Sequence, residues 1–244
     1  MPKKPTPNKS EDLIKPRPIE TIHFKQRLFK FSEKQKQLLD LALCDKSKII
    51  FLAGPAGTSK TYMSIYAGIN LLVKNNETQM IYVRSIAESA EKGLGSLPGE
   101  AGHKFEPFVT PLYEKIDEMV SEEHSGWLKK TERLTAKPIN YLRGASWSDK
   151  IIVADEAQNF SYKELVTLIT RIGEGSKMFI CGDFMQSDIK SSGFRQMFDL
   201  FTGLDCENNG IFTFQFDNND IYRSGILRFI IQKLQEKEKE KNNG

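Results

Sequence analysis

An eight-residue loop, G-P-A-G-T-S-K-T (Gly54–Thr61), constrains the fold of this chain more than any other feature. It follows a short apolar run, Ile49–Ala53, and leads into a segment with helical spacing, Thr61–Val73. A strand, a glycine-containing loop ending in Lys-Thr, and a helix together form the context of a Walker A phosphate-binding motif. The glycines let the backbone fold tightly, so that successive N–H groups and the helix N-terminus face one anion. The alternative is a glycine-containing turn that binds nothing, and the Lys-Thr pair argues against it.

The loop predicts nucleotide contacts along its whole length. Lys60 supplies a cation to the β- and γ-phosphates, and the Thr61 hydroxyl is placed to ligate Mg²⁺. Ser59 departs from the motif, because glycine ordinarily precedes the lysine. If this position needs a positive φ, serine costs about 1–2 kcal/mol there, and we expect weaker binding or slower turnover. The predicted ligands are ATP and Mg²⁺, and the predicted ATP contacts in the loop are Gly54, Pro55, Ala56, Gly57, Thr58, Ser59, Lys60 and Thr61.

Composition places the chain among globular proteins. Its 244 residues are 39% hydrophobic and 27% charged, which supplies a core and excludes collagen, a coiled coil and wholesale disorder. No apolar run approaches the roughly 20 residues of a membrane span, so we expect no membrane partner. The three cysteines lie far apart and have no zinc or disulfide spacing, which favours a reducing cytoplasm. The net charge of +3 neither demands nor excludes nucleic acid.

Short β-branched or aromatic runs alternate with segments of helical spacing. This alternation predicts an α/β fold, a parallel sheet with helices on both faces. The predicted strands are Ile49–Ala53, Met80–Val83, Lys150–Ala154, Met178–Cys181 and Ile211–Phe216, and the predicted helices between and around them are Phe31–Leu43, Thr61–Val73, Tyr162–Ile172 and Ile221–Leu234.

One long interval, at about 85–148, breaks this rhythm between the second and third predicted strands. It is too long for a simple loop, and its amphipathic segment Phe105–Val120 predicts a helical insertion that emerges from one end of the sheet. We expect a single domain over 26–236. A disordered tail over 1–25 and a charged tail over 237–244 are predicted from their polar composition.

The third predicted strand ends in two acids, Asp155 and Glu156. This pattern is typical of a Walker B motif, in which Asp155 holds Mg²⁺, directly or through water. Glu156 then orients and deprotonates the water that attacks the γ-phosphate. Acids at a strand end also cap a following helix, but their place downstream of a phosphate loop favours the catalytic interpretation. A water-activating base suits hydrolysis and argues against a metabolic kinase.

The fourth predicted strand runs into G-D-F-M-Q, Gly182–Gln186. Because ligands of open parallel sheets bind at the carboxyl ends of strands, Gln186 is placed to sense a γ-phosphate or to position the water. Asp183 either assists the metal or stabilises the turn. Arg171 and Arg223 are candidates for an arginine finger, and the alternative for each is a surface or capping arginine.

Upstream of the first predicted helix, Ser32 and Gln35 have the spacing of a capping box. Gln35 is equally a candidate for reading the edge of adenine. Both interpretations stay open at this point.

Seven segments, spread in order over about residues 32–236, carry a further pattern. They are G-P-A-G-T-S-K-T, G-L-G-S-L-P-G-E (Gly93–Glu100), P-L-Y-E-K-I-D (Pro111–Asp117), Y-L-R-G (Tyr141–Gly144), D-E-A-Q-N (Asp155–Asn159), T-R-I-G-E-G-S-K (Thr170–Lys177) and G-D-F-M-Q-S-D-I (Gly182–Ile189). Together they resemble the PhoH-like family, the phosphate-starvation-inducible P-loop ATPases. The resemblance implies a RecA-like core akin to the first motor domain of superfamily-one helicases, a cytoplasmic location and RNA-helicase-like ATPase activity. It also implies adenine contact by Gln35 and γ-phosphate sensing by Gln186.

Three positions depart from the family pattern. Ser59 replaces the usual glycine, Arg84-Ser85 stands where the family tends to have Arg-Pro, and Gly182-Asp183-Phe184 replaces a more usual Gly-Asp-Pro. Together with the short length, these departures resemble the phage-borne branch of the family, whose setting is the host cytoplasm.

The resemblance also implies that the end of the second strand meets a nucleic-acid backbone. Basic side chains there would give sequence-independent affinity for phosphates, and aromatic side chains in the insertion can stack on bases. The alternative is that the basic residues are solvated and the aromatic residues belong to the core. The candidate phosphate contacts are Arg84, Lys92, Lys104 and Arg143, with His103 beside them, and the candidate stacking residues are Phe105, Phe108, Tyr113, Trp127, Tyr141 and Trp147.

Two functions remain open. One is a Mg²⁺-dependent ATPase that couples hydrolysis to the binding or remodelling of single-stranded RNA or DNA. The other is a non-motor switch in which ATP controls oligomerisation or a partner. A single P-loop domain has no second domain with which to complete its site, so the arginine finger would come from another copy, and a head-to-tail ring of six is expected.

Overall fold

A parallel sheet forms the centre of the fold. The computed structural model describes residues 30–75, 78–85, 101–131, 133–139, 146–189, 191–222 and 225–242. Its strands are β1 (Ile49–Ala53), β2 (Gln79–Arg84), β3 (Leu134–Pro138), β4 (Lys150–Asp155), β5 (Lys177–Gly182) and β6 (Ile211–Gln215). Its helices are α1 (Glu33–Leu43), α2 (Lys60–Lys74), α3 (Ala101–Met119), α4 (Glu122–Lys130), α5 (Tyr162–Ile169), α6 (Phe194–Leu200), α7 (Leu204–Asn208) and α8 (Gly225–Asn242).

The strands lie in the order β3-β2-β4-β5-β1-β6, and all five pairings are parallel. Strand β5 therefore lies between β1, which precedes the phosphate loop, and β4, which ends in the two acids. The carboxyl ends of parallel strands meet at one edge of a sheet, so the sequence motifs that follow β1, β4 and β5 come together there. The predicted RecA-like α/β architecture is confirmed.

Both faces of the sheet are covered by helices. The side chains of β1 show this most directly, since Ile50 and Leu52 enter one core cluster while Ile49, Phe51 and Ala53 enter the other. Helices α1 to α4 pack on the first face, and α5 and α6 pack on the second. Strands covered on both sides read as unbroken apolar runs, which is why β1, β4 and β5 were recognisable from sequence.

The long interval between β2 and β4 differs from its prediction. It contains the expected helix α3, but it also contains α4 and the strand β3, which pairs with β2 and extends the sheet. The interval is therefore not a helical insertion that leaves the sheet. Strand β3 reads L-T-A-K-P and lies at the sheet edge with only its ends buried. A short, half-polar run that ends in proline carries a weak strand signal, and such runs are confined to edges.

Two further predictions concern the ends of the chain. The last helix, α8, continues to Asn242, so the segment expected as a charged tail is helical almost to its end. The tail predicted over 1–25 lies outside the described residues. Among the residues that the structure describes, no helix has the length and apolar character needed to cross a membrane.

Candidate functional site

The phosphate loop connects β1 to α2 and has a left-handed backbone at two places. Gly57 has φ 83°, a value that glycine adopts without strain, and its carbonyl accepts a hydrogen bond from the N–H of Tyr222 at 3.1 Å. Ser59 has φ 66° and ψ 23°. The position in which the motif ordinarily has glycine therefore does require a positive φ, and serine is strained there.

The ammonium group of Lys60 lies inside this loop. It donates hydrogen bonds to the carbonyl oxygens of Gly54, at 2.7 Å, and Pro55, at 3.0 Å. Burial lowers the pKa of Lys60, and the negative charges of Asp183 and Glu156 act against that shift. A cation held by loop carbonyls at a helix N-terminus is positioned to meet the outer phosphates of a nucleotide.

The carboxylate of Asp155 is the centre of a buried hydroxyl cluster. The Thr61 hydroxyl donates to its Oδ1 and the Tyr82 hydroxyl donates to its Oδ2, each at 2.6 Å. Residue Asp155 is only 5% exposed. Burial, together with the charge of Asp155, raises the pKa of Tyr82, so this phenol remains a donor. Strand pairing explains the contact, because β2 lies beside β4 with Arg84 opposite Asp155.

The donor set around Asp155 fits Mg²⁺. The described residues contain no cluster of three or more His, Cys, Asp or Glu side chains that could enclose a metal. Mg²⁺ does not need such a cluster, because it commonly binds one or two protein oxygens and completes its shell with phosphate and water. The Thr61 hydroxyl and the Asp155 carboxylate are hard oxygen ligands in direct contact at the mouth of the phosphate loop.

Glu156 has a left-handed backbone, and each of its two carboxylate oxygens has a different partner. Its φ of 52° lies in the left-handed region, where a residue with a Cβ is strained. Its Oε1 lies 3.7 Å from the Arg84 guanidinium, and its Oε2 accepts a hydrogen bond from the Gln158 side chain at 2.5 Å. Burial and the neighbouring charge of Asp155 raise the pKa of Glu156. A carboxylate with a raised pKa at this place is suited to accept a proton from water.

The loop after β5 carries Asp183 and Gln186. The Asp183 carboxylate accepts a hydrogen bond from the N–H of Met185 at 2.9 Å, and the Asp183 N–H donates to Gln158 Oε1 at 3.0 Å. Of the two roles considered for Asp183, these contacts favour the stabilisation of the turn. Gln186 is exposed and lines the same cavity as Lys60.

One cavity of about 770 Å³ unites most of the predicted site. Its lining combines polar and charged side chains with the aromatic side chains of Phe31 and Tyr222. The predicted residues that line it are Gln35, Ala56, Gly57, Ser59, Lys60, Thr61, Arg84, Asp155, Glu156 and Gln186. Gly54, Pro55 and Thr58 belong to the same loop but are not among the lining residues, and the Thr58 hydroxyl donates to the Pro55 carbonyl at 2.8 Å.

Gln35 has the capping role considered for it, and its contact with adenine stays a prediction. It forms the capping box of α1, because its Oε1 accepts from the N–H of Ser32 and its own N–H donates to Ser32 Oγ, each at 3.1 Å. It also lines the cavity. Since the cap uses the carbonyl end of the side chain, the amide NH₂ group remains the donor that could face a ligand.

Other predicted residues do not join this cavity. Arg171 follows the end of α5 and is not among the cavity-lining residues. Lys104 lies in α3, but its side chain is outside the described part of the chain. Three further candidates, Arg223, Lys92 and Arg143, fall outside the described residues altogether.

Sequence reasoning missed three residues of the site. Tyr82 is in the middle of an apolar strand, where nothing distinguishes it from core. Gln158 belongs to the D-E-A-Q-N motif, but the sequence alone assigns it no role. Tyr222 precedes α8 and reaches the cavity from a remote part of the chain. Of these three residues, only Gln158 was indicated by a sequence motif. In D-E-A-Q-N the glutamine follows Glu156 by two residues, so its side chain can reach the Glu156 carboxylate.

Comparison with known proteins identifies relatives of this chain. The family model described as PhoH-like protein matches residues 28–235. A PhoH-like protein of Bacillus subtilis (strain 168) is 31% identical over 195 residues, covering 79% of this chain and 60% of the relative. A PhoH-like protein of Mycobacterium leprae (strain TN) is 32% identical over 207 residues, covering 84% and 57%. Protein PhoH of Escherichia coli (strain K12) is 25% identical over 202 residues, covering 81% and 56%. The chain thus spans somewhat more than half the length of these relatives.

Solved structures show a weaker likeness. The Pif1 helicase from Candida albicans has 18% sequence identity and a TM-score of 0.35, covering 77% of this chain and 40% of that one. Pif1 from a Bacteroides species, in complex with ADP-AlF4, has 15% identity and a TM-score of 0.34, covering 79% and 43%. Scores this low say nothing about what this chain binds or does.

Proposed function

The chain belongs to the PhoH-like protein family, and from that premise we propose that it is a Mg²⁺-dependent ATPase. Its hydrolysis of ATP would be coupled to the binding or remodelling of single-stranded RNA or DNA. The single observation that carries the proposal is the contact of Thr61 with Asp155 at 2.6 Å, beside Lys60 and Glu156 in one cavity. This is the set of groups that phosphoryl transfer to water requires.

Each residue has a distinct role in this proposal. Lys60 and the backbone N–H groups of Ala56, Gly57 and Ser59 bind the phosphates, and Thr61 and Asp155 would hold Mg²⁺. Mg²⁺, when bound, supplies neutralisation of the charge that develops on the phosphate oxygens. Glu156 orients a water molecule and accepts its proton at a carboxylate oxygen.

Two further residues complete the nucleotide site of the proposal. Gln186 hydrogen-bonds the γ-phosphate or the water, and Gln35 donates from its amide NH₂ to the adenine edge. The role of Gln186 is supported by its place in the cavity lining. The role of Gln35 is supported by its capping contact, which uses the carbonyl oxygen of the side chain and not the NH₂ group.

The nucleic-acid part of the proposal is supported by the position of Arg84. This residue ends β2 at the carboxyl edge of the sheet, and its side chain is partly exposed while contacting Glu156. A phosphate backbone that contacts this arginine would be next to the hydrolytic site. We propose a cytoplasmic setting for the same activity.

We also propose that the chain assembles into a head-to-tail ring of six. Arg84 is the sole arginine among the described cavity-lining residues, and it contacts Glu156. A finger directed at the γ-phosphate would therefore come from a neighbouring copy, with Arg171 and Arg223 as candidates.

A switch without motor activity is the second candidate, and the left-handed Ser59 favours it. Strain within the phosphate loop that slows turnover would suit a protein that holds ATP for a long time. Turnover that responds to no nucleic acid, with an oligomeric state that changes on ATP addition, would select this alternative.

The test is steady-state ATP turnover by the purified chain with Mg²⁺, with and without single-stranded RNA and DNA, alongside its native mass. We expect turnover that EDTA abolishes and nucleic acid stimulates, and a mass six times the 27.8 kDa of the chain. Glu156→Gln should lower kcat by about 100-fold or more while ATP still binds. The exposed Glu174→Gln is the matched control and should leave kcat unchanged. Turnover that survives Glu156→Gln would overturn the assignment of the base.

A further inference from the structure

The side chain of Gln158 connects two parts of the site that are separate in sequence. It lies in the 3₁₀ turn Ala157–Asn159 and is only 3% exposed. Its Nε2 donates to Glu156 Oε2, and its Oε1 accepts from the N–H of Asp183. One buried amide therefore joins the acidic end of β4 to the loop after β5, with both of its ends bonded.

Glu156 depends on such a contact for its position. Its backbone is left-handed, and backbone strain persists only where surrounding contacts hold it. Its other contact, with Arg84, is a longer ion pair of 3.7 Å between partly exposed groups, and exposed ion pairs contribute little. The bond from Gln158 is the shorter and more buried of the two.

The loop after β5 is attached to the same turn at three places. Gln158 binds Asp183 through its side chain, and its carbonyl accepts from the Ser187 hydroxyl at 3.1 Å. Asn159 exchanges two hydrogen bonds with Asp188, each at 2.8 Å. Gln186 lies between these attachment points, so a displacement of Gln186 moves a segment that is bonded to Gln158.

We propose that Gln158 is a positioning residue that fixes the Glu156 carboxylate to the Gln186 loop, so that the loop and the base move as one unit. This inference rests on the proposed ATPase function. A γ-phosphate contacted by Gln186 would set the position of the loop, and the loop would set the position of the base through Gln158. Displacement of a catalytic group by about 1 Å costs about 100-fold in rate, so this linkage affects kcat rather than ATP binding.

Two variants separate positioning from loop attachment. Gln158→Met removes both side-chain hydrogen bonds of Gln158, including the one to Glu156. Asn159→Leu is the matched control, because it also removes two hydrogen bonds to the loop but none to Glu156. Gln158→Glu is a third variant, which keeps an acceptor for the Asp183 N–H but loses the donor to Glu156, and it decides the question if Gln158→Met does not fold.

The experiment measures kcat, KM and ATP affinity for these variants with Mg²⁺, together with their melting temperatures. We expect Gln158→Met and Gln158→Glu to lower kcat about 10- to 100-fold with KM and ATP affinity within about threefold of wild type. Asn159→Leu should lower the melting temperature as much as Gln158→Met does, yet change kcat by less than about threefold.

Two outcomes overturn the inference while the proposed function stands. One is an unchanged kcat in Gln158→Met or Gln158→Glu, and the other is an equal loss of kcat in Asn159→Leu. A wild-type chain without Mg²⁺-dependent ATP turnover instead overturns the proposed function, and the positioning role of Gln158 falls with it.

Discussion

The phosphate loop and the segment from α3 to β3 both lie beside helix α2, but different kinds of contact hold them. In the loop, the side chains of Thr58 and Lys60 bond carbonyls only three to six residues away. In the α3–β3 segment, the Arg133 guanidinium reaches 55 to 61 residues back along the chain to the carbonyls of Leu72 and Thr78. A region held by local contacts can be recognised from a short sequence motif. A region held by contacts between distant residues has no such motif.

Lys60→Ala is the change with the largest expected effect on ATP affinity, and it tests the local region alone. Loss of a charged donor to phosphate costs about 2–3 kcal/mol, so ATP affinity should fall about 100-fold or more. The melting temperature should change little, because the Lys60 bonds lie within the loop. Calorimetric titration with ATP and a melting curve measure the two quantities, and an unchanged affinity would contradict the role of Lys60.

Arg133→Met tests the distant contacts. This buried side chain donates to the carbonyls of Leu72, Asn75 and Thr78 just at and after the end of α2. Its loss removes these buried hydrogen bonds, and we expect the free energy of unfolding to fall by about 2–4 kcal/mol. Urea unfolding measures this value.

The control for Arg133→Met is Lys129→Met. Lys129 forms an ion pair with Asp117 at 2.7 Å, with both side chains partly exposed, and such pairs contribute about 1 kcal/mol or less. Equal losses in the two variants would show that the buried long-range hydrogen bonds of Arg133 stabilise the fold no more than an exposed ion pair does. ATP affinity should stay unchanged in both variants below their melting temperatures.

The same distinction explains how much of the fold was predictable from sequence. Strands β1, β4 and β5 are buried on both faces and read as apolar runs, so their existence followed from hydrophobicity. Strand β3 depends on pairing with β2 and on the packing of α3 and α4, and its polar edge sequence carries no such pattern. The C-terminal part of α8 was likewise missed, because a charged segment has the composition of a tail whether or not it is helical.

The residues of the site also fall into two groups, those indicated by local motifs and those whose contacts depend on the folded structure. The roles proposed for Lys60 and Asp155 come from motifs whose spacing is set by one strand end and one loop. Tyr82 could not be predicted, because its contact with Asp155 depends on the register between β2 and β4. Gln158 could not be assigned a role without the turn that directs its side chain to Glu156.

Ser59→Gly tests whether the backbone of the phosphate loop is strained at Ser59. Serine is in the left-handed region there and makes no side-chain capping bond to α2, so glycine should relieve strain. After the entropy cost of glycine is subtracted, we expect a gain of about 0.5–1 kcal/mol in the free energy of unfolding. Ser161→Gly is the control, because Ser161 has φ −67° and caps α5, and it should lose a few tenths of a kcal/mol, roughly. A loss in both variants would show that Ser59 is not strained.

The smallest expected effect is a pH dependence at Lys177, a second long-range basic anchor. Its ammonium donates to the carbonyls of Ala42, in the last turn of α1, and Cys44, the residue that follows the helix. Burial lowers the pKa of Lys177 to about 8, and the nearby charge of Lys48 acts in the same direction. An unfolded lysine titrates near 10.5, so between these values the unfolded chain carries more protons. Rising pH therefore stabilises the fold through this group.

Comparison with Lys177→Met isolates that contribution from other titrating groups. The stability of wild type relative to Lys177→Met should rise across about pH 8 to 10.5, by about 0.5 kcal/mol or less per pH unit, since the three hydrogen bonds of the ammonium oppose the shift. Urea unfolding at several pH values measures it. A relative stability that falls over this range would show that the pKa is raised rather than lowered.

The strand order has a consequence for the time at which the site forms during synthesis. Strand β1 is made early, yet its two hydrogen-bonding neighbours, β5 and β6, are the last strands to be made. Until residues 177–215 have left the ribosome, the strand that leads into the phosphate loop has no partner in the sheet. Parallel pairing across such sequence separation closes slowly. Nascent chains that stall before β5 should therefore expose the apolar β1 and retain no ATP, so the proposed nucleotide site should form late in the maturation of this protein.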